Sequence, residues 1–201
     1  MMKDLYRNNS IEVFTKRLGS AEPTPGGGAA AALSSALGAS LVMMAANLTA
    51  GKPEYAGSEE FIEDTLAEAE ILRDRLLDGM DRDAEAFGKL MSAYSMPKSG
   101  GRAEAVFASS VEATEAPVAV MEDSLAALRL ASDMMGRSNR NLESDLVSAM
   151  QLLRAGIMAE NNNVLANLPV IEKKDAALAS ELRSRAERII SEAGTLAPDG
   201  H

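Results

Sequence analysis

The chain has 201 residues, 46% of them apolar, enough for one domain with a sizeable core and no second domain. Its net charge of -10 argues against a nucleic-acid groove or an anionic membrane surface, both of which need clustered Lys and Arg. It holds no cysteine, and its one histidine is the terminal His201, so disulfides, thiolate chemistry, a histidine base and a histidine-ligated zinc are all excluded, leaving Asp, Glu, Lys, Arg, Asn, Ser, Tyr and backbone groups to carry any chemistry.

Helical periodicity runs throughout and strand-like alternation is missing. The first predicted element is a short amphipathic helix over about Ser10 to Leu18. Next comes the charge-free run "PTPGGGAAAALSSALGASLVMMAANLTAG". It is long enough to span a bilayer, but it is built of Ala, Gly and Ser rather than the Leu, Ile, Phe and Val that drive insertion. No basic region directly precedes it, as an export signal would require. The expectation is therefore a central, fully buried helix from near Gly28 to near Ala50, stopped by Gly51 and Pro53, in a soluble cytoplasmic protein.

A long helix follows, with Ser58 as N-cap and Glu59 and Glu60 in its first turn, and reaches about Tyr94. Pro97, Gly100 and Gly101 mark a loop. A further helix covers about Arg102 to Met135, kinked or broken at Pro117 and ended by Gly136. A fifth spans about Leu142 to Leu165, with Pro169 closing the loop after it. The last runs from Asp175 to Ala193, and the remainder, about 194–201, reads as a loose tail. Residues 1–201 thus form a single all-α domain, a multi-helix antiparallel bundle with a central small-residue helix.

Certain residues interrupt the pattern. Asp83 falls on the apolar stripe Leu72, Leu76, Met80, Phe87, Met91, Tyr94; a carboxylate there is costly unless it is paired or used. Asp145 has Leu142, Ala149 and Leu152 as helical neighbours, with Gly156 and Asn163 on nearly the same side. On an unbroken helix Asp145 and Asn163 are about 27 Å apart, so they cannot touch one reacting atom. The plainer readings are a structural ion pair or a solvated edge of the bundle for Asp83, and a first-turn acid on the helix dipole for Asp145. In "NNNVLANL", Asn163 and Asn167 are i,i+4 neighbours, readable as C-terminal caps or as an amide row for a heterocycle. "TPGGG" leads into a helix whose free N–H groups could hold an anion or a developing oxyanion, although it lacks the spacing of a phosphate loop. Lys98 lies in the loop after the long helix.

Taken in order, "TPGGGAAAALSSALGASLVMMAANLTAGKPEY", "DRDAEAFGKLMSAYSMPK", "EAPVAV" and "SDLVSAMQLLRAGIMAENNNVLANL" resemble the cyclodeaminase/cyclohydrolase family over about Gly19 to Leu168. The family includes the C-terminal domain of formimidoyltransferase-cyclodeaminase and stand-alone methenyltetrahydrofolate cyclohydrolases. The resemblance implies an all-helical homodimer or higher homo-oligomer and a tetrahydrofolate derivative as substrate, with no separate cofactor, metal, nucleic acid or membrane. It implies one of two reactions, hydrolysis of 5,10-methenyltetrahydrofolate to 10-formyltetrahydrofolate or loss of ammonia from 5-formimidoyltetrahydrofolate. The matching positions are Gly26, Gly27, Gly28, Asn47, Asp83, Phe87, Lys98, Asp145, Asn163 and Asn167. The loop from Lys98 to Arg102 is shorter than usual for the family, which puts the role of Arg102 in question.

Both reactions act on a one-carbon amidine unit at N5. A carboxylate suits the cationic methenyl substrate as base, so Asp83 and Asp145 are the expected catalytic residues, one for acid/base work and one for the pterin N–H edge. The others are expected to bind substrate, with Lys98 and the glycine turn toward the anionic glutamate or the tetrahedral adduct. Hydrolysis is the main expectation and ammonia release the alternative. A helical dimer that binds folate, or only holds structure, without catalysis is the competing reading.

Overall fold

The computed structural model describes residues 5–98 and 100–196. Among these there is no strand. Helix α1 spans Ile11–Leu18, α2 Gly27–Asn47, α3 Glu59–Ser95, α4 Arg102–Met134, α5 Glu143–Glu172 and α6 Ala176–Thr195, with short 3₁₀ turns at Tyr6–Asn8, Pro53–Ser58 and Arg140–Leu142. Ser10 and Asp175 cap α1 and α6, accepting from the backbone N–H of Val13 and Leu178. Ser58 leads into α3 but makes no capping bond, because the chain enters from a 3₁₀ turn rather than from extended backbone.

The loop expected at Pro169 is not there, and Pro117 does not break its helix. Helix α4 runs through Pro117 and α5 through Pro169, so α5 extends to Glu172 and no loop follows Leu165. Each proline forfeits one intrahelical bond. The neighbouring packing outweighs that loss: Pro117, Val118, Leu168 and Ile171 are all buried. Asn163 and Asn167 therefore sit mid-helix and cap nothing. Gly194 and Thr195, expected in the loose tail, are helical; the rest of that tail, with His201, lies outside the described residues.

The glycines show how the helices run. A Cβ on Gly38 would lie 2.6 Å from Leu153 Cγ and 2.9 Å from the Ala149 carbonyl oxygen, and one on Gly156 would lie 2.0 Å from Ser35 Oγ and 3.0 Å from the Ala31 oxygen. Helices α2 and α5 are thus antiparallel and nearly in backbone contact. A Cβ on Gly79 would meet Val120 at 2.8 Å and Ala32 at 3.4 Å; with Gly28 against Asp83 and Arg75 beside Asp123, this sets α3 antiparallel to both α2 and α4. Helix α6 runs parallel to α4, pinned by Arg129 on Glu192 at 2.6 Å and Arg185 on Glu122 at 2.8 Å. Small residues permit these approaches, and larger ones such as Leu76, Met121, Leu128, Leu153 and Ile157 fill the layers between.

Helix α2 is central, with α3, α4 and α5 packed on it, but it is not buried all round. It is long and apolar enough to cross a membrane, yet 56% of its most apolar window lies inside the bundle. Its remaining face carries Leu33 and Leu41, partly buried, and Leu37, which is 50% exposed. The Ser35 and Ser124 hydroxyls inside the bundle share a hydrogen bond of 2.8 Å, so these polar groups cost little to bury.

Candidate active site

The N-terminal turn of α2 lies against the middle of α3. Gly26 precedes the helix in extended conformation, Gly27 is its first residue, and Gly28 is buried. The Asp83 carboxylate rests on this turn, with Oδ2 accepting from the Ala29 N–H at 3.2 Å. A Cβ on Gly28 would stand 2.2 Å from Asp83 Oδ1, so the carboxylate occupies the space a side chain there would need. Glycine at 28 is what lets Asp83 reach the helix terminus. The turn is steadied from outside: Tyr6 Oη donates to Thr24 Oγ1 at 2.9 Å, and the Tyr6 N–H donates to Asp81 Oδ1 at 2.7 Å.

Two cavities meet at Asp83. One, of about 200 Å³, is walled by Pro23, Thr24, the three glycines, Phe87 and Asn163. The other, of about 370 Å³, runs along α3 and α5 past Phe87, Met91, Tyr94, Asn163, Asn167 and Val170. Together they form a cleft with a carboxylate at the junction, aromatic and thioether side chains along one wall and carboxamides along the other. The sequence stripe predicted for α3 is core only as far as Met80; beyond Asp83 it opens, leaving Met91 40% and Tyr94 39% exposed on the cleft. Asp83 makes no ion pair among the described residues. Burial raises its pKa above the ordinary carboxyl range, against the smaller opposing effect of the Ala29 hydrogen bond.

The cleft assembles Gly26, Gly27, Gly28, Asp83, Phe87, Asn163 and Asn167. Asn167 is held by its own Nδ2, which donates to the Ala113 carbonyl at 3.0 Å. Asp145 and Asn47 lie elsewhere in the fold. Asp145 is in the first turn of α5, and Asn47 ends α2, exposed. That end is closed by Ala45, Ala46, Ile62, Met134, Leu142 and Leu146. It stands about 28 Å along α2 from Gly28. Lys98 is exposed beyond the end of α3 and lines neither cavity.

One residue that reasoning from sequence passed over is Glu160. It is 1% exposed, and its Oε2 accepts from Asn163 Nδ2 at 2.8 Å. It interrupts the buried α5 stripe of Leu153, Ile157, Val164 and Leu168 just as Asp83 interrupts that of α3, so the same test would have found it. Burial pushes its carboxyl from 4.5 up to about 8; the Asn163 amide opposes this and the nearby Asp83 charge adds to it. The folded protein thus keeps a proton that the unfolded chain has released. The stability this group contributes is intact below its unfolded value of 4.5 and is lost as pH rises to about 8. Thermal unfolding followed between about pH 5 and pH 8 should show a steeper decline for the parent than for Glu160→Gln, with the variant ahead at the alkaline end by a few kcal/mol at most. Parallel curves would refute it.

Fold and cleft together define the class: an all-α protein whose desolvated carboxylate, without an ion pair among the described residues, is set on a helix N-terminus where two cavities meet. A family model described as formiminotransferase-cyclodeaminase matches residues 10–188. The chain is 36% identical over 194 residues to a methenyltetrahydrofolate cyclohydrolase of Methylorubrum extorquens, covering 94% of this chain and 92% of that one. It is 29% identical to a formimidoyltransferase-cyclodeaminase of Dictyostelium discoideum, across 92% of this chain but 34% of that longer protein. The crystal structure of formiminotetrahydrofolate cyclodeaminase from Thermotoga maritima superposes with a TM-score of 0.79 at 27% identity, covering 94% of this chain and 96% of the other. The chain belongs to the formiminotransferase-cyclodeaminase family.

Proposed function

We propose that this protein is a methenyltetrahydrofolate cyclohydrolase in which Asp83 is the general base. The observation that carries the reading is the Asp83 carboxylate itself, desolvated, without an ion pair among the described residues and seated where two cavities join. The methenyl substrate is a cation at its bridging carbon. Water adds to that carbon while Asp83 accepts one of its protons, giving a tetrahedral adduct. The C–N5 bond then breaks as the adduct's hydroxyl gives up its proton to become C=O and N5 takes one up, leaving the carbon on N10 as formyl. A carboxylate whose pKa burial has raised is a better base than an ordinary one, and it attracts the cation before reaction. Phe87, Met91 and Tyr94 give the aryl part of the substrate an apolar wall, and Asn163 and Asn167 give its ring polar partners. Lys98, past the end of that wall, suits the anionic glutamate. Loss of absorbance by 5,10-methenyltetrahydrofolate, against the uncatalysed rate, tests the proposal directly. Ammonia release from 5-formimidoyltetrahydrofolate is the second reading, favoured by the likeness to the Thermotoga enzyme, and acceleration of that reaction alone would replace the first.

The open face of α2 supports a homodimer. Leu37 is the midpoint of Gly27–Asn47 and half exposed. An isologous pairing about a two-fold axis at Leu37 sets the partner's helix antiparallel. The Asn47 and Asp145 end of one protomer then lies beside the Asp83 cleft of the other, which reunites the two groups of motif residues that one chain keeps apart. Asp83→Asn and Asp145→Asn variants, each inactive alone, should on co-refolding recover about one quarter of parental activity, because half of the dimers are mixed and each mixed dimer has one intact site. No recovery, with mixed dimers verified by mass, would place both residues' action within one protomer.

A further inference from the structure

Behind the Asp83 cleft stands a second carboxyl that the proposed reaction leaves unused. Glu160 is walled off from solvent on the core stripe of α5, where an uncompensated carboxyl is a liability. Among the described residues its one hydrogen bond is to Asn163 Nδ2, at 2.8 Å. Asn163, nearly one turn further along the helix, lines both cavities. A carboxamide has a donor end and an acceptor end, and rotation about its last torsion exchanges them. A carboxylate can only accept, whereas a neutral carboxyl also carries an O–H that can donate to an amide oxygen. In the arrangement observed Glu160 Oε2 accepts, so the nitrogen end of Asn163 is turned inward.

We propose that Glu160 is a positioning residue that fixes the Asn163 amide with Nδ2 turned into the core and Oδ1 presented to the cleft beside Asp83. The cleft then offers two acceptors side by side, a carboxylate and a carbonyl. That pair selects a ligand edge rich in N–H donors or carrying positive charge and turns away one bearing a carbonyl or carboxylate at the same place. A free Asn163 would rotate and present donors half the time, eroding this choice. The inference deepens the folate reading in its kinetic consequences and rests on it there; the orientation of the amide does not depend on the substrate.

The test joins side-chain amide NMR with kinetics. In ¹⁵N-labelled parent protein, the Asn163 amide pair, assigned by its loss in Asn163→Ala, should show one slowly exchanging proton with a nuclear Overhauser contact to the Glu160 side chain. This part needs no variant of Glu160 to fold, and absence of the contact overturns the proposal. Glu160→Met keeps length and removes the acceptor, whereas Glu160→Gln keeps an oxygen that Nδ2 can reach. The methionine variant should raise KM for the methenyl substrate about tenfold with less change in kcat, and the glutamine variant should stay within about threefold of the parent. In an Asn163→Ala background, Glu160→Met should cost nothing further. A KM effect that persists in full in that background, or that the glutamine and methionine variants share equally, overturns the proposal. A parent that turns over neither folate would undo the functional reading instead, with the amide signals still deciding the orientation.

Discussion

Asp83→Asn should lower turnover of 5,10-methenyltetrahydrofolate by about 10²–10⁴-fold while leaving the fold intact. Asparagine has the same shape, and its Oδ1 can still accept from the Ala29 N–H that Asp83 Oδ2 engages at 3.2 Å. What it cannot do is take a proton from water. Stability should hold or rise, because the substitution removes a charge that burial disfavours. Steady-state kinetics beside a circular dichroism melt separate the two effects. A folded variant within about threefold of parental kcat would remove Asp83 from the chemistry. The parent's kcat/KM should climb with pH as Asp83 loses its proton, through a range above that of an ordinary carboxyl since burial raises it.

The largest loss of stability is expected at the α2–α5 seam. Gly38→Ala drives a methyl to 2.6 Å from Leu153 Cγ and 2.9 Å from a backbone oxygen; Gly156→Ala drives one to 2.0 Å from Ser35 Oγ and 3.0 Å from the Ala31 oxygen. Rotamer changes could clear the side-chain atoms. The carbonyl oxygens belong to helices locked into the core, so the helices must part. Each substitution should cost about 2–3 kcal/mol in urea unfolding. Gly88→Ala is the contrast. Gly88 is also mid-helix, but a Cβ there meets nothing within 4 Å, so the better helix propensity of alanine should add up to about 1 kcal/mol. Equal responses at the three sites would show that helix propensity, not contact, governs this seam.

How much of this was legible beforehand divides by the range of the interaction concerned. The starts of α1 and α6 follow from cap residues whose hydroxyl or carboxylate bonds a backbone N–H three positions on, and such local bonds are written in adjacent letters. Asp83 declared itself by standing in an apolar stripe. Glu160 stood in one too, and was hidden by its neighbours: next to three asparagines it reads as one more polar residue at a helix end, because Pro169 suggests a stop that tertiary packing overrides.

By itself, then, the sequence determined an all-helical chain, a central small-residue helix, a chemistry without thiol, and a family whose motifs point to folate. Those are matters of composition, period and order along the chain. Only the tertiary structure decided that Asp83 lies on the α2 N-terminus, that Asn163 and Asn167 face it across a cleft while Asp145 and Asn47 stand at the far end of the bundle, and that α2 keeps one face open. The physical reason is close packing: which atoms meet depends on the Cβ-free approach of Gly28, Gly38 and Gly156 to partners more than 50 residues away in the chain, and no local preference carries that distance.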